Sequence, residues 1–167
     1  MSISACYHMV EEQMISELLK MSSDEVFDTV EELQETDESV ADIGKLWEGL
    51  HFLLTNTIID DVPEGNPLSE AVIGVDIFCD DEDADFITYI SKERVPAILD
   101  ELKHFDIESA IEGLQPNEFQ ENEIYPDIWM KWDKEDLQEE LNECFSSLLE
   151  FYESAAELGK AVVVSIY

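Results

Sequence analysis

Residues 133–167 read DKEDLQEELNECFSSLLEFYESAAELGKAVVVSIY, and what these positions can bury decides the fold. Leu137, Leu141, Phe145, Leu148, Tyr152 and Ala155 recur at steps of three or four. Cys144, Leu149, Phe151 and Leu158 widen that stripe to the breadth a core-facing helix needs, and the opposite face is acidic and polar. Asp133 suits an N-cap, Asp136 the positive end of the helix and Gly159 a left-handed stop, with Lys160 beside the negative end. The pattern predicts a helix over residues 134–158. At about 1.5 Å per residue it runs roughly 37 Å, against a radius of gyration near 15 Å for a compact chain of this length, so it crosses the whole domain. The closing AVVVSIY, residues 161–167, is predominantly apolar and rich in β-branched residues, which predicts a strand covered on both faces inside the sheet.

Upstream, Ile3, Ala5, Tyr7 and Met9 alternate with Ser4, Cys6 and His8 as in a half-buried first strand closed by Val10. A short helix over residues 11–21 follows, then a second beginning at Ser22, whose spacing to Glu25 is that of a capping box. The polar run 34–39 is a connection. Ile43, Leu46, Trp47, Leu50 and Leu54 mark a third helix ending near residues 55–57. Residues 60–65 form a loop, and Asn66-Pro67 starts a short helix stopped by Gly74. Residues 75–79 and 86–90 read as strands. A helix beginning as late as Val95, because of Pro96, carries Ile98, Leu99, Leu102 and Phe105. Shorter turns lead to IYPDIWMKW, residues 124–132, a proline-bent approach to the long helix. Helices outnumber dispersed strands, so the expected fold class is α+β: a helix-rich single domain over residues 1–167, with a three- or four-stranded sheet.

Asp and Glu total 42 against 8 Lys and Arg, a formal net charge of -34, while 45% hydrophobic content supports a real core over 167 residues. That field repels nucleic acid and anionic membrane, so neither is an expected partner. Salt adaptation is a competing reading, but Glu outnumbers Asp and large aliphatics stay common. Solvated helix faces that favour carboxylates for solubility are another. Cys6, Cys79 and Cys144 are odd in number and lack ligand spacing, which argues against a disulfide framework or a zinc site and for a reducing cytoplasm. No export signal is visible at the N-terminus, and no apolar stretch reaches membrane-spanning length.

WEGLHFLLTNT (residues 47–57), NPLSEAVIG (66–74) and EIYPDIW (123–129) together, in this order and spacing, resemble the bacterial YfbM-like family of unknown function. The closing helix with Phe151, Tyr152, Ala155 and Ala156, followed by an apolar strand, is similar to that family's ending, so the resemblance covers nearly the whole chain. It implies a compact α+β domain and no established activity. The chain departs from the family where many members carry a Tyr-Gly-Pro-Ala-Arg-like segment, since residues 86–94 read FITYISKER here.

Two constellations are candidates for function. Trp47 and His51 lie four apart on one helix face and can meet Tyr125 and Trp129 of the proline bend, with His51 beside Glu48 or Glu123 as a base. The competing reading packs Trp47 and Tyr125 into the core and lets His51 bond a loop carbonyl. No phosphate loop, GxSxG elbow, HExxH or Cys/His pair occurs, which counts against an enzyme, and no cofactor is expected. Asp80, Asp81, Glu82, Asp83 and Asp85 form the densest acidic run. Phe86 stands where a calcium loop needs glycine and Lys92 where it needs glutamate, so no metal is assigned there. The run is either a solvated loop or an edge that offers carboxylates to a basic protein. The preferred expectation is a non-catalytic acidic binding protein, such as an inhibitor or immunity protein that neutralises a basic toxin or nuclease. The alternative is a small-molecule-binding or hydrolytic protein centred on His51 and Tyr125.

Overall fold

The computed structural model describes residues 2–36, 40–78 and 86–167. In chain order it contains β1 (Ala5–Val10), α1 (Glu12–Leu18), α2 (Ser23–Thr36), β2 (Ala41–Gly44), α3 (Trp47–Thr55) and a 3-10 turn (Ile59–Asp61). There follow α4 (Pro67–Ile73), β3 (Asp76–Ile77), β4 (Phe86–Ile90), α5 (Val95–His104), α6 (Ile107–Glu112), α7 (Pro116–Glu121), α8 (Lys134–Leu158) and β5 (Ala161–Ile166). The fold is α+β, and its strands pair in the order β2-β1-β5-β4-β3, every pair antiparallel.

β5 lies at the centre, hydrogen-bonded to β1 and β4, with all six residues buried. Its side chains alternate between two cores, as the pleat requires. Val162, Val164 and Ile166 join the larger cluster with Leu50, Ile98, Leu141 and Leu148. Ala161 and Val163 join a smaller one with Ile15 and Leu18 of α1 and Val26 and Val30 of α2. The sheet is therefore covered on both faces, which explains why the terminal strand has no polar alternation.

α8 runs over residues 134–158 and stops at Gly159 in the left-handed region (φ 64°). Asp133 occupies the N-cap position without making a side-chain capping bond, so its contribution there is that of charge near the helix dipole. The capping box that opens α2 forms in full: Ser22 N–H donates to Glu25 Oε2 at 2.8 Å and Glu25 N–H to Ser22 Oγ at 3.4 Å.

The sheet has five strands among the described residues rather than three or four, and the addition is β2. Ile43 belongs to β2, not to the third helix, which begins only at Trp47. Pairing with β1 (Tyr7 opposite Ala41, Cys6 opposite Asp42) and a left-handed Gly44 (φ 62°) turn the chain before that helix can start. Over four residues, one buried side chain is too short a pattern to reveal a strand.

α4 is pinned to the sheet through its last carbonyls. Tyr152 Oη donates to Ala71 O at 2.7 Å, Tyr7 Oη to Val72 O at 2.6 Å and Thr88 Oγ1 to Ile73 O at 2.8 Å. Three consecutive carbonyls that a short helix would leave without partners are thus satisfied from β1, β4 and α8. Burial holds both tyrosine hydroxyls well above their ordinary pKa, so they remain donors.

Candidate functional site

α3 is apolar around most of its circumference and buries Gly49, Leu50, His51, Phe52 and Leu54. His51 has no exposed surface, and its Nε2 lies 2.8 Å from Ser69 Oγ. Ser69 is placed by the start of α4, where Asn66 Oδ1 accepts from the N–H groups of Leu68 and Ser69 at 3.0 and 3.4 Å and Pro67 fills the first helical position. Burial pulls the His51 imidazole down to a pKa of about 4, with a main-chain interaction at Thr57 opposing it. The ring is therefore neutral at pH 7. A serine hydroxyl against a neutral imidazole has the chemistry of a nucleophile and its base. Ser69 is only 4% exposed, however, so the pair acts as a tie between α3 and α4.

Trp47 and Tyr125 do come together, with ring centroids 6.4 Å apart, across the bend that contains the cis Tyr125-Pro126 peptide. The main chain of Ile3, just before β1, bridges the two side chains. Ile3 N–H donates to Tyr125 Oη at 2.8 Å and Trp47 Nε1–H donates to Ile3 O at 3.2 Å. Glu48 accepts from Tyr125 N–H at 2.9 Å; burial raises its pKa, that N–H partly offsets the rise, and the nearby Asp60 charge adds to it.

Trp129 is core: 1% exposed, packed on Phe119 at 4.5 Å, with Nε1–H donating to Ile124 O at 2.7 Å. Glycine at position 49 makes room for it, since a Cβ there would overlap the Trp129 six-membered ring. Of the four aromatic and histidine candidates, Trp47 and Tyr125 meet each other, while His51 meets Ser69 and also interacts with the main chain of Thr57, in the loop after α3. Ser69 was not legible as a partner, because an Asn-Pro-Leu-Ser start announces a helix and says nothing of what the third residue touches.

The acidic candidates Asp80, Asp81, Glu82, Asp83 and Asp85 lie outside the described residues. The described carboxylates include a run along α8, where Glu135, Asp136, Glu139, Glu140, Glu143, Glu150, Glu153 and Glu157 are all exposed. Few cations answer them. Arg94 is held by Glu70 (2.6 Å) and by Gly65 O (3.2 Å), Lys131 pairs with Asp127 at 2.9 Å, and Lys160 pairs with Glu11. At the start of α8, Lys131, Trp132, Asp133, Asp136, Glu139 and Glu140 line an open trough of about 430 Å³. No helix of the described residues is long and apolar enough to cross a membrane.

Residues 1–165 match the model of a family described as a domain of unknown function, DUF1877. The chain is similar to protein YfbM of Escherichia coli strain K12, 29% identical over 123 residues that cover 71% of this chain and 70% of that one. Its fold is that of the crystal structure of YfbM from Escherichia coli, a protein of unknown function, with a TM-score of 0.77 over 98% of this chain and 99% of that one at 24% identity.

Proposed function

This chain belongs to the DUF1877 family, and from that premise, which fixes no activity, we propose that it is a non-catalytic acidic binding protein that docks a basic protein partner, as an inhibitor or immunity protein does when it neutralises a cationic toxin or nuclease. The observation that supports this reading is the uncompensated charge: -34 overall, with several of the few cations already engaged inside the molecule. Such a field draws a cationic partner into encounter and repels polyanions. The test is association kinetics with a basic partner captured at low salt and identified. Its association rate is expected to fall steeply as salt screens the field, over a Debye length of about 8 Å at physiological ionic strength. A rate indifferent to salt overturns the reading. Combined Asp81→Asn, Asp83→Asn and Asp85→Asn, set against three distant substitutions of equal charge, asks whether the acidic run contributes more than its share of the field.

A hydrolytic reading draws on one observation, the 2.8 Å contact between His51 and Ser69. It requires α3 and α4 to part. Labelling of Ser69 by a fluorophosphonate, lost in His51→Gln, would establish it in place of the binding reading; an unlabelled Ser69 is the expected result.

A further inference from the structure

The bend before α8 ends in an apolar ledge that the core does not use. Met130 is 63% exposed and Trp132 38%, although Trp129, in the same short run, is fully packed. The turn that carries them is closed by the main-chain N–H groups of Lys131 and Trp132, which donate to Ile128 O at 2.9 and 3.0 Å. The Trp132 ring already faces a cation: Lys45 Nζ lies 5.4 Å from its centroid. Beyond the ring, Lys131, already paired with Asp127, and Asp133, Asp136, Glu139 and Glu140 complete the trough.

Helix electrostatics do not account for these acids. Asp133, Glu135 and Asp136 sit where the helix dipole favours negative charge, but Glu139, Glu140 and Glu143 lie past the first turn, where that benefit has faded. Asp136 with Glu140, and Glu135 with Glu139, are like charges four residues apart, an arrangement that destabilises a helix. No described cation forms an ion pair with Asp136, Glu139 or Glu140, so an arriving cation would relieve a repulsion the free protein carries.

We propose that the Met130–Trp132 ledge and the first turns of α8 form the docking surface for an arginine-bearing amphipathic segment of the basic partner, its apolar side on Met130 and Trp132 and its guanidinium groups on the indole face and on Asp136, Glu139 and Glu140. Arginine suits the site better than lysine because its planar cation both stacks on an indole and forks onto a carboxylate. The assignment rests on the binding reading above and adds to it a place and a partner chemistry.

The experiment uses the full chain and two fluorescein-labelled dodecapeptides of equal charge, one of Arg and Leu in amphipathic order and one with every Leu replaced by Ser. Affinity is read by anisotropy at low and moderate salt, and tryptophan emission is followed in parallel. The Arg-Leu peptide is expected to bind more tightly and to change the Trp132 emission. Combined Asp136→Asn, Glu139→Gln and Glu140→Gln should weaken it about tenfold or more, whereas Asp28→Asn, Glu31→Gln and Glu35→Gln on α2 remove equal charge and should weaken it about twofold or less. Trp132→Ala should weaken the Arg-Leu peptide severalfold and the Arg-Ser peptide little. Equal losses in the two triple variants, or no preference for the Arg-Leu peptide, overturn the ledge while leaving a field-driven binding protein standing. No salt-sensitive binding of either peptide overturns the binding reading together with it.

Discussion

His51 is the residue whose chemistry is most changed by its surroundings, and the change has a measurable sign. Its pKa is about 4 in the folded chain and about 6.5 when unfolded, so between those values the unfolded chain binds more protons. The stability tied to the neutral ring is complete above pH 6.5 and is lost progressively as pH falls toward 4, by about 3 kcal/mol in all. Because other groups respond to pH as well, the measurement is a difference. Urea melts of the wild type and His51→Gln from pH 7 to 5 should show a steeper fall in the wild type, and parallel slopes would remove burial as the cause. The i,i+4 spacing from Trp47 made a meeting of α3 with the proline bend legible, and Trp47 and Tyr125 do meet. Ser69 as a partner of His51 was not legible, because it is eighteen residues away on a separate helix. Gly49 carries a similar hidden constraint. In a helix interior, glycine costs about 1 kcal/mol relative to alanine, yet Trp129 occupies the space of its missing Cβ. Gly49→Ala should therefore lower stability by about 1–3 kcal/mol, and a melt that rises would show that Trp129 can shift without loss.

Elements were legible in proportion to their length and to the number of faces they bury. α8 matched its expected limits because a stripe repeated over six turns and a left-handed glycine stop leave no competing period, and β5 was readable because burial on both faces erases alternation. β2 was lost among helix signals because its identity comes from pairing with β1, a contact that no local pattern carries. Leu141 and Leu148 are wholly buried in the larger core, where α8 lies against α5 and β2. Leu141→Ala and Leu148→Ala should each cost about 2–5 kcal/mol, the transfer loss plus whatever cavity fails to close. Thermal melts unchanged by either substitution would place α8 outside the cooperative core. The pattern that locates this helix is silent about its outer face. Trp132 stood in the sequence as the last aromatic of an apolar run, and only the packing of Trp129 shows that the two tryptophans serve different surfaces.

For the molecule as a whole, a net charge of -34 opposes the compact state, because folding concentrates carboxylates that the unfolded chain holds further apart. The two cores and the tyrosine ties on α4 supply the opposing stabilisation. Salt tests how near that balance stands to its limit, since the Debye length shrinks from about 30 Å at 0.01 M to about 3 Å at 1 M. Screening should therefore raise the melting temperature, each kilocalorie per mole recovered moving the midpoint by about 2–4 °C for a chain of this size. Sodium chloride is the suitable salt, because sulfate would also strengthen apolar burial by exclusion from the surface. The expected curve begins with a folded chain at low salt, rises by about 5 °C, and flattens once the Debye length falls below the spacing of neighbouring carboxylates. A flat or falling curve would mean that the carboxylates stand far enough apart for water alone to screen them. A chain that is unfolded at low salt and keeps gaining stability into the molar range would instead mark the acidity as an adaptation to salt, and would weaken the case that this charge exists to meet a basic partner.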